Sequence, residues 1–424
     1  MEAYYQRYED EFTAIEHSDT HAGLEDKVRA RVTVALGRLK EKAPTAYDLL
    51  LRSSVFRLAV VADFWFEMLP GVKEREKKKA RNVLESCSWV IEEGNSLRQH
   101  NLIRSTASSW LQKEKEKWQE VHREAARLWL QEYEADREAE NLVKVRGYLE
   151  AFYHFCEIEA WEDARDILTI KMNTPTQQQL QHQLFTWGYY RQRIELCSQL
   201  LNKLDDNWQG ICLNGLGIAY HNLGSYQQAI NYFQQSLTIF RKISDSSGES
   251  STLGNLGNAH YSLGEYHQAI NYLQQQLNIT REIGDRNGEG NALGNLGCAY
   301  NSLGDYNQAI NYFQKSLAIT KRISNQNAEG HALGNLGKVY YKLEDYSISQ
   351  KYSQAALDIF SQIGAKHGEA EALKNLALAN KELDNLKLAK EQCQQALEIA
   401  TELGIPLVKE CRELQEKLGL MIDS

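Results

Sequence analysis

The sequence predicts an all-α protein, an α-solenoid that follows a mostly helical N-terminal domain with a small β-hairpin. Three observations predict it. One phrase recurs in near-copy at a spacing of 40 residues, its apolar positions follow helical spacing, and only 4 prolines interrupt 424 residues. The copies are LNGLGIAYHNLGSYQQAINYFQQSL (213–237), LGNLGNAHYSLGEYHQAINYLQQQL (253–277), LGNLGCAYNSLGDYNQAINYFQKSL (293–317) and LGNLGKVYYKLEDYSISQKYSQAAL (333–357). A divergent fifth, LKNLALANKELDNLKLAKEQCQQAL, occupies 373–397. Units of this period cannot bury their apolar faces alone, so they must stack.

Each copy reads as two helices and a turn. In the second, Leu253, Leu256, Ala259, His260 and Leu263 mark the apolar stripe of a first helix. Gly264-Glu265-Tyr266 is the turn, where glycine takes a left-handed conformation at little cost. Ala269, Ile270, Leu273, Leu277 and Ile279 mark the second helix. Gly257, Gly297 and Gly337 fall within first helices, at a cost of roughly 1 kcal/mol each against alanine. A close approach by another backbone explains them, and the expected neighbour is the second helix of the same unit.

In the first unit Leu216, Gly217, Tyr220, Gly224, Tyr226, Ala229 and Phe233 spell a Leu-Gly pair, a following tyrosine, a Gly-x-Tyr turn and a small-residue/aromatic pair. This pattern resembles the tetratricopeptide repeat (TPR). It departs from the usual 34-residue unit with its terminal proline. Arg241, Arg281 and Lys321 stand there instead, followed by polar links such as Gly284-Asp285-Arg286-Asn287-Gly288. Those departures are similar to the long, Gly-rich repeats of the Pins/LGN class of adaptor proteins. The resemblance implies a right-handed TPR superhelix over 210–424, made of five units and a C-terminal capping helix.

It also implies that first helices line a concave groove. The ligand-facing positions carry over to Ser251, Asn255 and Asn258 in unit two, and to Asn291, Asn295 and Cys298 in unit three. Units four and five supply His331, Asn335, Lys338, Lys342 and Asn375. Unit one departs, with Gly215 and Ile218. The ladder Asn255–Asn295–Asn335–Asn375 offers amides that pair with the backbone of an extended or helical peptide. An equally physical reading is that these asparagines were copied with the duplication and simply tolerate water. Charge enters the groove at Lys338 and Lys342, so a clamp for a terminal carboxylate is expected only around unit four.

The whole chain narrows the function classes. A net charge of −9 disfavours a protein dominated by nucleic-acid binding, which needs a basic surface. Seven cysteines without a CxxC pair read as reduced thiols of a cytoplasmic protein. The opening MEAYYQRYEDEF is polar and unlike a signal peptide, and the most apolar run, Leu58–Leu69, is interrupted by Asp63 and Glu67. A membrane partner is therefore not expected.

Residues 1–111 read as a helical, winged-helix-like domain. Pro44–Phe56, Val60–Leu69 and Lys73–Ser88 are predicted helices, broken by Pro70-Gly71. Trp89-Val90-Ile91, a Glu93-Gly94-Asn95 turn and Leu97-Arg98-Gln99 then read as a hairpin before a helix running to Trp110. Leu49–Leu51, Ser54-Val55-Phe56 and His100-Asn101-Leu102-Ile103-Arg104 make the segment resemble the winged helix that follows the nucleotide-binding domain of STAND (NB-ARC) NTPases, where a TPR array often comes next. The phosphate loop GxxxxGK[ST] is missing, since the single Gly-Lys pair, Gly337-Lys338, lies inside a repeat helix. The resemblance thus implies a sensor half alone, or the partner of a separate NTPase. Residues 112–141 read as a charged connecting helix with the stripe Trp118, Val121, Ala125, Leu128 and Trp129. Residues 142–209 read as degenerate TPR-like hairpins, broken most clearly at Asn173-Thr174-Pro175-Thr176.

Nothing in the sequence assembles an active site. HExxH, GxSxG and paired CxxC motifs are missing, and His154 and Cys156 sit two residues apart, on different faces of a helix. No enzyme, cofactor or metal is expected, and Cys298 reads as a small apolar residue. The function expected is a non-catalytic adaptor or sensor that binds a peptide or helical segment of another protein. The alternative is a transcriptional regulator whose winged helix reads DNA through Lys73–Arg81, including Lys77, Lys78 and Lys79; a solvated face explains the same helix.

Overall fold

The computed structural model describes residues 21–422 apart from 95, 137, 173, 175 and 176. The chain forms two compact units, Met1–Trp187 and Gly188–Ser424.

The first unit starts with α1 (His21–Lys42), α2 (Pro44–Ser53), β1 (Val60–Val61), α3 (Ala62–Glu67) and α4 (Glu74–Ser86). β2 (Val90–Glu93), β3 (Ser96–Gln99) and α5 (Asn101–Leu111) follow. The strands form an antiparallel sheet in the order β1-β3-β2, with Val60 opposite Leu97 and Ile91 opposite Arg98. Asn95, in the expected turn, lies outside the described residues. Leu49, Leu50, Leu84, Ala107 and Leu111 are wholly buried, and Trp65 and Leu97 nearly so. Gln99 pins the hairpin to α2, its Nε2 donating to the Leu50 carbonyl at 2.6 Å and to Ser53 Oγ at 2.8 Å. The helix expected over Val60–Leu69 is shorter. Two β-branched residues at its start pair with β3 instead, and the helix is confined to six residues before Pro70.

Next come α6 (Lys115–Gln131), α7 (Asn141–Lys144), α8 (Arg146–Glu157), α9 (Trp161–Thr169) and α10 (Leu180–Thr186). The stripe Trp118, Val121, Ala125, Leu128 and Trp129 is buried, and α6 packs on α8. α6 ends at Gln131, short of the expected 141. Beyond it Glu132, Glu134, Asp136, Glu138 and Glu140 would repel one another and the negative end of the helix dipole. Of the link Asn173-Thr174-Pro175-Thr176, only Thr174 is among the described residues.

The second unit opens with α11 (Tyr190–Leu200) and continues as five hairpins. These are α12 (Asp206–Asn222) with α13 (Tyr226–Lys242), α14 (Ser246–Ser262) with α15 (Tyr266–Glu282), and α16 (Arg286–Leu303) with α17 (Tyr306–Arg322). α18 (Gln326–Lys342) pairs with α19 (Tyr346–Gln362), α20 (Lys366–Glu382) with α21 (Leu386–Leu403), and α22 (Leu407–Ile422) closes the stack. Ala229 and Phe233 of α13 share a buried cluster with Leu253, Leu256 and Ala259 of the next unit. Each hairpin thus completes its core only against its neighbour. Asp205, Asp245, Asp285 and Asn325 accept from backbone N–H groups two or three residues on, capping α12, α14, α16 and α18. The within-helix glycines are explained by the same unit's second helix, but by its side chains rather than its backbone. A Cβ on Gly217 would lie 2.4 Å from the Phe233 ring, and one on Gly297 2.6 Å from Phe313. Leu263, expected on the buried stripe, is 39% exposed, as are its equivalents Leu223, Leu303 and Leu343 to a similar extent.

Candidate functional site

First helices of successive units pack on one another, α12 on α14 through to α18 on α20, while the second helices stand farther apart. The stack therefore curves toward the first helices, and their open side is the concave one. There the structure brings together Asn291, Asn295, His331 and Asn335, which line a cavity of about 500 Å³ between units three and four. Cys298, Ser316, Asn325 and Asn327 complete its polar wall.

Several of these groups are already engaged. Asn335 Nδ2 lies 3.7 Å from Cys298 Sγ, Ser316 Oγ donates to the Gly290 carbonyl at 2.9 Å, and Asn325 caps α18. The side-chain amides of Asn291, Asn295 and Asn327, at the cavity wall, make no hydrogen bond within the described residues, so their donors and acceptors are open to a ligand. Two titratable groups line it. Although much of the His331 ring's surface meets solvent, the crowding of its remainder, against Phe360 at 5.1 Å, lowers its pKa. Lys338 and His367 act in the same direction and Glu371 opposes them. Burial raises the Cys298 thiol to about 11. At neutral pH the cavity is consequently uncharged and its thiol unreactive.

The other expected positions lie elsewhere. Asn255 Nδ2 donates to Asn214 Oδ1 of unit one at 3.0 Å, so the amide ladder continues through Asn214, not through Gly215. The signal was in the sequence: unit one reads Asn-Gly where units two to four read Gly-Asn. Gly215 itself faces Arg193 and Cys197, each 3.2 Å from the point a Cβ would occupy. Ser251 is exposed and Asn258 half-buried, while Asn375 is only 6% exposed. Lys338 Nζ pairs with Glu371 at 3.4 Å, and Lys342 lies over the Tyr306 ring at 5.8 Å. With Lys338 compensated, the positive charge expected for a carboxylate clamp is halved at its centre. Asn325 and Asn327 were not anticipated, although Ser324-Asn325-Gln326-Asn327 is the one uncharged link among its equivalents.

Helix α4, the expected DNA-reading helix, presents a modest basic surface. On α4, Lys77 is 8% exposed, Arg81 is bound to Glu85 and Glu92, and Lys78 lies 4.0 Å from Glu74. Among the described residues no cluster of three or more His, Cys, Asp or Glu could hold a metal ion, and no helix is long and apolar enough to cross a membrane.

Comparison with known proteins agrees with the geometry. Tetratricopeptide repeat models match residues 211–246, 248–322 and 329–402. No curated protein matches by sequence. Among solved structures, a signal transduction ATPase with numerous domains (STAND) carrying a tetratricopeptide repeat sensor, from Pyrococcus horikoshii, is similar over 96% of this chain at 19% identity and a TM-score of 0.51. The present chain spans 63% of that protein's length. Aspartyl phosphate phosphatase F from Bacillus subtilis aligns over 91% of this chain and 96% of its own, at 12% identity and TM-score 0.48. BtubC from P. vanneervenii aligns over 53% and 92%, at 16% identity and TM-score 0.45. The hairpins are tetratricopeptide repeats, in a chain whose fold resembles that of a STAND protein with such a sensor.

Proposed function

We propose that the repeats form a non-catalytic interaction module that holds an extended or helical segment of another protein on their concave face. One observation carries this reading: the uncharged cavity between units three and four, into which Asn291, Asn295 and Asn327 present unengaged amides. Such groups match the alternating donors and acceptors of a peptide backbone, and apolar wall atoms from Ala328 and Ala332 supply contact area. Because the cavity holds no net charge, its affinity falls little with added salt, unlike a carboxylate clamp. Similarity in fold to the STAND protein supports a sensor role, in which a nucleotide-hydrolysing unit would make the response. Domain roles follow in the same reading: a winged-helix-like segment to 111, a charged connecting helix over 112–141, degenerate TPR-like hairpins over 142–209, and the binding array beyond.

The test is site-directed photo-crosslinking. A benzophenone side chain placed at Asn291 in the full chain is expected to label a short segment of a captured protein. Asn295→Ala with Asn327→Ala should cut that labelling about tenfold, a loss of about 1.4 kcal/mol, while thermal unfolding stays within 1–2 °C. Labelling that survives those changes, or that maps only to the convex helices, refutes the reading.

A further inference from the structure

Helices α6 and α8 meet inside the first unit at two histidines for which the binding of a segment by the repeats has no use. His122 Nδ1 and His154 Nδ1 lie 3.1 Å apart, with ring planes at 68°, and the residues are 1% and 0% exposed. At that separation one Nδ1 carries the hydrogen and the other accepts it, so the pair consists of opposite tautomers of neutral imidazole. Each ring's Nε2 is also buried and has no hydrogen-bond partner among the described residues. Trp118 lies against His122 at 4.1 Å, while Phe56 and Tyr153 flank His154 at 6.1 and 5.4 Å.

The charges facing this apolar pocket offer a proton no counterion. Arg57, between α2 and β1, lies 3.9 Å over the Tyr153 ring and holds the buried Glu150 of α8 at 2.8 Å. Arg104 of α5 and Glu157 of α8 act on Tyr153, and the Glu157 carbonyl accepts from Trp118 Nε1 at 3.3 Å. Glu67 of α3 acts on Arg127 of α6, and Asp163 of α9 is tied to Arg123 of α6 at 2.8 Å. Burial lowers the pKa of His122 to about 3, the bond from His154 offsetting it in part. Burial, His122 and Arg57 together hold His154 well below the usual histidine value.

We infer that the His122–His154 pair is an acid-sensitive latch, closing α6 on α8 only while both rings are neutral. A first proton leaves both Nε2–H groups without acceptors and sets a charge among rings whose nearest cation is Arg57. A second turns the shared hydrogen bond into two opposed N–H donors. In the opened form each ring takes its proton at the ordinary value of about 6.5. The closed form binds fewer protons, so it is fully favoured above about pH 6.5 and progressively lost below it. The opening equilibrium then rises about tenfold per pH unit for one ring, and about a hundredfold when both take part.

Hydrogen exchange of the full chain between pH 7.5 and 5, corrected for the intrinsic rate of each amide, tests this. Opening of α6 and α8 should steepen by at least tenfold per unit below about pH 6.5, with no such slope in α14–α18. In the variant His122→Asn/His154→Asn, whose amides bond to each other without titrating, the slope should vanish. A slope that matches the repeats, or that persists in the variant, overturns the latch. Should the variant fail to fold, imidazole nitrogen shifts of the unaltered chain decide. Opposite neutral tautomers persisting to pH 5 support the latch, and a ring that titrates near pH 6.5 while α6 and α8 stay protected overturns it.

Discussion

A Gly297→Ala substitution isolates what one methyl group does in this stack. Each first helix has a small residue facing a chosen partner on the second helix: Gly217 with Phe233, Gly257 with Leu273, Gly297 with Phe313, and Gly337 with Ser353. In unit five the equivalent positions hold Ala377 and Cys393, both buried in one cluster, so a Cβ is admitted there beside cysteine. Alanine at 297 gains about 1 kcal/mol of helix propensity. It also drives a Cβ to 2.6 Å from the buried Phe313 ring, an overpacking worth about 1–3 kcal/mol. The expected balance is a net loss of about 1 kcal/mol in urea unfolding, reduced when Phe313→Cys is added. A stabilised Gly297→Ala chain would show that helix propensity outweighs packing at this site.

At the scale of elements, the turns between paired helices impose a left-handed residue that the sequence only partly supplies. Gly224, Gly264 and Gly304 adopt φ of 79°, 79° and 84°, while Glu344 and Asp384 adopt 61° and 62° at the same place. Glu344→Gly relieves that strain and is expected to stabilise unit four by up to about 1 kcal/mol, read as a rise in its unfolding midpoint. No gain would mean that the φ of Glu344 costs nothing measurable. The same contrast separates what could be read from the sequence from what could not. The hairpins were legible because the period holds in every unit and the turn glycines agree with it in units one to three. β1 was not, because two valines declare a strand only when Ser96 and Leu97, far along the chain, come alongside. The meeting of Asn291, Asn295, His331 and Asn335 follows from register alone. The burial of Asn375 does not, because it depends on α22 folding back on α20, which places Glu410 2.6 Å from Lys374.

Across the whole molecule, coupling between elements runs mainly between neighbours, and this decides how damage spreads. α22 seals the last hairpin through two clusters, Leu407 and Cys411 with Ala396 and Ala400, and Leu414 and Leu418 with Ala389 and Cys393. Ending the chain after Gly404 removes these side chains and bares the apolar surface of α21. Each fully buried leucine contributes about 1.5–3 kcal/mol, so the loss amounts to several kcal/mol at that end. In a molecule with one central core such a loss would lower protection everywhere. In a stack whose stability sums over units and their interfaces, it falls on α20 and α21, weakens through α18 and α19, and leaves α12–α15 nearly untouched. Hydrogen exchange on the truncated chain should therefore show a gradient of lost protection declining toward α12. His122 and His154, in the other compact unit, should keep their exchange and pH slope unchanged. A uniform loss across the repeats would mean that the array unfolds as a single cooperative block, and that the cavity between units three and four depends on the capping helix as closely as on its own walls.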